Sequence, residues 1–103
     1  MNKDLFLSTL GLARRAGKLC KGFDSNVENA HVIDTVFLAS DCSDRTRETI
    51  SEIFAQLDKE PVSVNYSKFE LGVAIGSKPV GIIGVTDTGF AKLLKTRLFE
   101  EVV

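Results

Sequence analysis

Apolar residues recur along this chain in two periods, and their alternation predicts its layout. Over residues 3–16 the spacing is helical. At about 100° per residue, Leu5, Leu12, Ala13, Ala16 and Leu19 fall on one side, and Arg14, Arg15 and Lys18 on the other. Leu7 and Leu10 break that stripe, which predicts contact on two sides or a flat patch for a partner. Gly17 is the expected helix stop, and residues 18–21 make a very short strand. Gly22 opens a turn, and Asp24 or Ser25 is the expected N-cap of a helix reaching about Val32.

Thr35 to Ala39 is a nearly continuous apolar run, the pattern of a strand buried on both faces. Ser43 or Asp44 caps the next helix. Ile50, Ile53, Phe54 and Leu57 share its inner face, and Arg45, Glu48, Glu52 and Lys59 point outward. Pro61 ends that unit, and Val62 to Asn65 alternates like a short strand. Ser67 caps a short helix carrying Phe69, Leu71, Val73, Ala74 and Ile75, followed by a loop over residues 76–79. Val80 to Val85 is a second buried strand, in which Gly81 and Gly84 permit close packing. Asp87 caps a last helix with Phe90, Ala91, Leu93, Leu94 and Leu98 inward. Strands alternating with helices predict an α/β protein. The expected form is a three-layer α/β/α sandwich on a mixed, mostly parallel sheet of about four strands.

Length and composition narrow the class. The 103 residues fit one domain, 1–103, and 44% hydrophobic with 26% charged residues is the mix of a globular protein. No apolar run nears the ~20 residues that span a bilayer. Charged residues break the N-terminal stretch too early for a signal peptide, so a cytoplasmic location is expected, with Cys20 and Cys42 as reduced thiols. The net charge of −1 hides an asymmetry. Residues 1–23 hold five bases against one acid, whereas residues 24–70 hold ten acids against four bases. Nonspecific phosphate binding over the whole surface is therefore unexpected, while one local basic patch is open.

Catalytic and metal chemistry find little support. His31 is the only histidine and has no second ligand at metal spacing, so no metal site or other cofactor is expected. Residues 72–78 resemble a phosphate loop only faintly, since the spacing of Gly72, Gly76 and Lys78 is wrong and the segment precedes a strand. Asp41, Asp44 and Asp87 lie near strand ends, where α/β ligand sites form, but helix capping already explains them. An enzyme would rest on fold analogy alone. The strongest constellation is residues 13–25, with Arg14, Arg15, Lys18 and Lys21 running into a glycine turn and a helix start, a combination that favours phosphate. The plain alternative is a strand, a turn and a helix with solvated lysines.

Three segments also carry a resemblance. Ala13, Arg14, Gly17, Lys18, Leu19, Lys21 and Gly22 resemble the glycine-turn motif of the L-seven-Ae superfamily of kink-turn RNA-binding ribosomal proteins. Residues 67–76 are similar to its Ser-Lys-x-x-Leu-Gly-x-Ala-x-Gly, and residues 36–41 to its apolar strand ending in Ala-x-Asp. The opening Gly11 to Lys18 and the late Val85 to Ala91 resemble the small bacterial YlxQ-like branch.

The resemblance implies a non-enzymatic ribonucleoprotein component that binds a sharply bent, structured RNA, ribosomal or kink-turn containing. It implies no membrane partner, and the chain is expected as a monomer or weak homodimer. Arg14, Lys18 and Lys21 would position phosphates. Gly22, Phe23, Asp24, Ser25 and Glu28 would meet the bend, and Ser77, Lys78, Pro79 and Val80 would close over flipped nucleotides. The departures fall in the base-reading positions: Asp24 replaces the family's Asn, Ser25 its Glu, and Glu28 its Lys. A carboxylate cannot donate to guanine O6 or N7, and each lost base contact costs ~1–3 kcal/mol. Phe23 offers stacking on an extruded base in exchange. The expectation is RNA binding with altered specificity. The alternative is a protein-interaction module on the same fold that has lost RNA recognition.

Overall fold

The computed structural model describes residues 4–102, with side chains as far as Leu98. Helix α1 (Leu5–Arg15) begins at Asp4, whose carboxylate accepts the Leu7 N–H at 2.9 Å. Its buried face is Phe6, Thr9, Leu10 and Ala13, while Leu5 and Leu12 are 42% and 53% exposed. The expected leucine stripe is thus not the core stripe. The reason is aromatic. Phe6 meets Phe37 edge-on at 5.4 Å and stacks on Tyr66 at 5.2 Å, and rings of this size dominate core burial. Leu10 is fully buried and Leu7 packs against the core, so the expected Leu7–Leu10 partner patch does not exist.

The remaining elements are β1 (Leu19–Lys21), α2 (Phe23–Glu28), β2 (Thr35–Leu38), α3 (Asp44–Ala55), β3 (Val62–Ser63), α4 (Lys68–Ala74), β4 (Ile82–Val85) and α5 (Thr88–Val102). Ser43 caps α3, and Ser67 with Glu70 forms a capping box on α4. Asp87 accepts the Phe90 N–H at the start of α5. Leu57 and Leu93, expected inside, are exposed, as are Phe69 and Val73 of α4. Leu57 lies past the end of α3. Phe69 and Val73 share the outer side of α4, because Leu71 and Gly72 take the inner one.

The sheet order is β1-β4-β2-β3. Only β2 and β3 run parallel. β4 lies antiparallel to both β1 and β2, so the sheet is mixed and mostly antiparallel rather than mostly parallel. The β2-α3-β3 unit is the one crossover that behaves as the alternating pattern implies. β4 is inserted between β1 and β2, where burial on both faces is met in either direction. All eight residues of β2 and β4 are buried. By strand alternation Thr35, Phe37, Ile83 and Val85 share the face met by Phe6 of α1. Val36, Leu38, Ile82 and Gly84 share the other, where Gly84 lies against Asn26 of α2 and against Ile33. Helices therefore cover both faces.

Candidate functional site

Two helix ends and one strand end build the site. Helix α1 stops in a left-handed glycine: Gly17 has φ 73°, its N–H reaches the Arg14 carbonyl, and the Lys18 N–H reaches that of Ala13. Helix α4 stops in the same way at Gly76, φ 68°, with the Ser77 N–H on the Gly72 carbonyl at 2.8 Å. Arg14 ties the two ends together. Its guanidinium donates to the Ile75 carbonyl at 3.0 Å, so it holds the start of the 76–81 loop. Gly72 lets that loop lie directly on α4, because a Cβ there would sit 2.5 Å from the Lys78 carbonyl oxygen. Val80 is buried and donates its N–H to Lys68.

The loop reaches the far end of β1. The Gly22 N–H donates to the Ile82 carbonyl at 2.9 Å, and Gly22 turns at φ 89°. Between turn and loop lies an open cleft of about 750 Å³ lined by Lys21, Gly22, Gly76, Ser77, Lys78, Pro79 and Val80. The lining holds two lysines and no carboxylate. Both lysines are exposed, and among the described residues neither meets a carboxylate at ion-pair distance. Next to it a smaller hollow of about 170 Å³ is lined by Gly22, Phe23, Cys42, Ser43, Thr46, Lys68, Gly81 and Ile82. Phe23 is 39% exposed there.

The structure thus joins Lys21 and Gly22 with Ser77, Lys78, Pro79 and Val80, and sets Phe23 beside them. It leaves others apart. Lys18 sits at the opposite end of β1, ~10 Å away along the strand at ~3.3 Å per residue. Its carbonyl accepts from the Thr86 N–H and hydroxyl. The N-cap of α2 is Gly22, not Asp24 or Ser25, and the helix ends at Glu28 rather than near Val32. The end comes where Asn29 turns back, its N–H and side-chain amide both on the Ser25 carbonyl. Asp24 and Glu28 are exposed, lie one turn apart on α2 and do not line the cleft.

Two residues of the site were not among those expected there, although Lys68 is the lysine of the Ser-Lys motif. Lys68 adds a third cation at the hollow. Asn26 is fully buried in α2 and donates from Nδ2 to the Cys20 carbonyl at 3.1 Å and the Gly22 carbonyl at 2.7 Å. An asparagine opposite a glycine in a buried strand is the sequence trace of that contact. Cys42 is buried, and its thiol is pushed above the usual range by loss of solvent, which outweighs the pull of Arg47 and Lys68. Among the described residues no group of three or more His, Cys, Asp or Glu gathers to hold a metal, and no helix is long and apolar enough to cross a membrane.

The fold has counterparts among solved structures. One is the Giardia lamblia 15.5kD RNA binding protein, with TM-score 0.73 and 14% identity over 97% of this chain and 89% of that one. Another is a protein of unknown function from Bacillus halodurans C, with TM-score 0.85 and 29% identity over 94% of this chain and 99% of that one. No family model matches the chain. The RNA-binding protein YlxQ of Enterococcus faecium is 32% identical over 99 residues, covering 91% of each chain. The chain belongs to the YlxQ family, within the L-seven-Ae superfamily that its motifs resemble.

Proposed function

We propose that this chain binds structured RNA and performs no chemistry on it, with a bent phosphate backbone lying in the cleft between the Gly22 turn and the 76–80 loop. The observation that carries this reading is the lining: Lys21 and Lys78 come from distant segments and face one cleft that contains no carboxylate. An ammonium group there gains a phosphate partner without first leaving an internal one. Gly22 has no side chain to hold the RNA off the backbone. The name of the Enterococcus faecium relative supports the same substrate class.

Within this reading Arg14 is a loop anchor, since its guanidinium already holds the Ile75 carbonyl. Lys18 makes at most a peripheral contact from the far end of β1. Phe23 stacks on a base at the rim. Asp24 and Glu28 accept hydrogen bonds only, so a base edge read by them is a donor edge such as cytosine N4, not guanine O6 or N7. The target is therefore a kink-turn variant or another ribosomal bend rather than the RNA that the family's Asn, Glu and Lys would select. Binding to a standard kink-turn, to ribosomal RNA and to an unstructured strand across a salt series tests this. Structured RNA is expected to bind more tightly than the unstructured strand, with affinity falling steeply as salt rises. No binding at low salt, or affinity indifferent to salt, would contradict it.

A further inference from the structure

We infer that Asn26 is a positioning residue that holds the Gly22 turn in its RNA-competent shape; this rests on the RNA-binding reading above. The turn has few other restraints. β1 is a three-residue edge strand paired only with β4, α2 has six residues, and Gly22 itself leaves the backbone free. Beyond two backbone hydrogen bonds, Gly22 N–H to the Ile82 carbonyl and a long one of 3.3 Å from the Asn26 N–H to the Gly22 carbonyl, the Asn26 carboxamide does the holding. Its Nδ2 donates to the carbonyls of Cys20 and Gly22, the two residues flanking Lys21. Two carbonyls facing one end of the amide require the nitrogen there, because only it donates.

That orientation has a consequence on the other side. Oδ1 is buried with no hydrogen-bond partner. It lies over Gly84, where a Cβ would be 2.1 Å away, so β4 makes room for it with a glycine. A buried, unsatisfied acceptor is destabilising, and an apolar side chain of the same shape would avoid it. Asn26 thus sacrifices stability at one atom and fixes the backbone around a cleft lysine with the other, a local conflict of the kind found at functional sites.

The test uses Asn26→Leu, which keeps the volume and removes both the donors and the orphan acceptor, with Asn26→Ala as a second variant. Expected results are a melting temperature equal to or above that of the unaltered protein and roughly tenfold faster exchange of the Gly22 amide. Affinity for the structured RNA is expected to fall about tenfold, with affinity for an unstructured strand within about twofold. The inference is overturned if Gly22 protection and structured-RNA affinity both persist. It is equally overturned if both RNAs weaken together as the melting temperature drops, since that marks a merely structural role. Should Asn26→Leu fail to fold, Asn26→Ala is read by Gly22 exchange and by the ratio of structured to unstructured RNA affinity, because the cavity it leaves lowers the melting temperature by itself. If the unaltered protein binds no structured RNA, the RNA-binding reading fails, and Gly22 exchange alone judges the Asn26 clamp.

Discussion

Gly72 shows how a single hydrogen decides the site. A methyl there would meet the Lys78 carbonyl oxygen at 2.5 Å and the Pro79 Cα at 3.0 Å, and backbone cannot swing aside as a side-chain tip can. Gly72→Ala is expected to destabilise the protein by ~1–3 kcal/mol through overpacking, read as a lowered denaturation midpoint. Cys42 gives a pH prediction. Its thiol is raised in the folded chain, chiefly by burial, and titrates in the ordinary thiol range when unfolded. Stability linked to it is intact below that range and falls as pH rises through it toward the folded value. Between pH 7 and 9.5 the melting temperature of Cys42→Ala should therefore drop less than that of the unaltered protein; equal drops would refute the assignment. At this scale the sequence was readable where chemistry is local, as at Gly17, Ser43, Ser67 and Asp87. It misled where packing decides. Leu5 and Leu12 satisfy a helical period as well as Phe6 and Leu10 do, and only the positions of Phe37 and Tyr66, distant in sequence, choose between them. Asn26 is legible only beside Gly84, a partner in another element.

The elements themselves were mostly written in pattern and punctuation. Continuous apolar runs marked β2 and β4, and glycines at positive φ ended α1 and α4. Helix α4 matters most to the site because it carries the 76–81 loop at its end. The Ser67–Glu70 capping box fixes its start, with the Glu70 carboxylate accepting the Ser67 N–H at 2.8 Å. Ser67→Ala should lower stability by ~0.5–2 kcal/mol while leaving the RNA salt dependence unchanged, measured by denaturant unfolding and by binding at two salt concentrations. A changed salt dependence would mean that the cap shapes the cleft directly. Helix α2 was misread because good capping residues, Asp24 and Ser25, follow a glycine that caps through the backbone alone. A side-chain preference could not see the turn that Gly22 makes against Ile82.

For the molecule as a whole, motif order along the chain carried the architecture further than periodicity did. Three segments in register identified the family that the YlxQ relative establishes. Periodicity by itself led to a mostly parallel sheet, because strand direction depends on which non-neighbouring strands meet, and β4 enters between β1 and β2 antiparallel to both. The same nonlocal pairing brings Lys21 and Lys78 to one cleft and leaves Lys18 at the other end of β1. On a chain of net charge −1, that gathering is what would make the proposed RNA binding a local property. The most direct measurement is the slope of log affinity against log salt for a structured RNA. It compares the unaltered protein, Lys21→Ala with Lys78→Ala, and a control with Lys92→Ala and Lys95→Ala on α5. The cleft variant should lose affinity for all RNAs alike, and its slope should become shallower by about 1 to 2, one phosphate for each lysine removed, while the control keeps the slope of the unaltered protein. An unchanged slope in the cleft variant, or an equal loss in the control, would contradict the account.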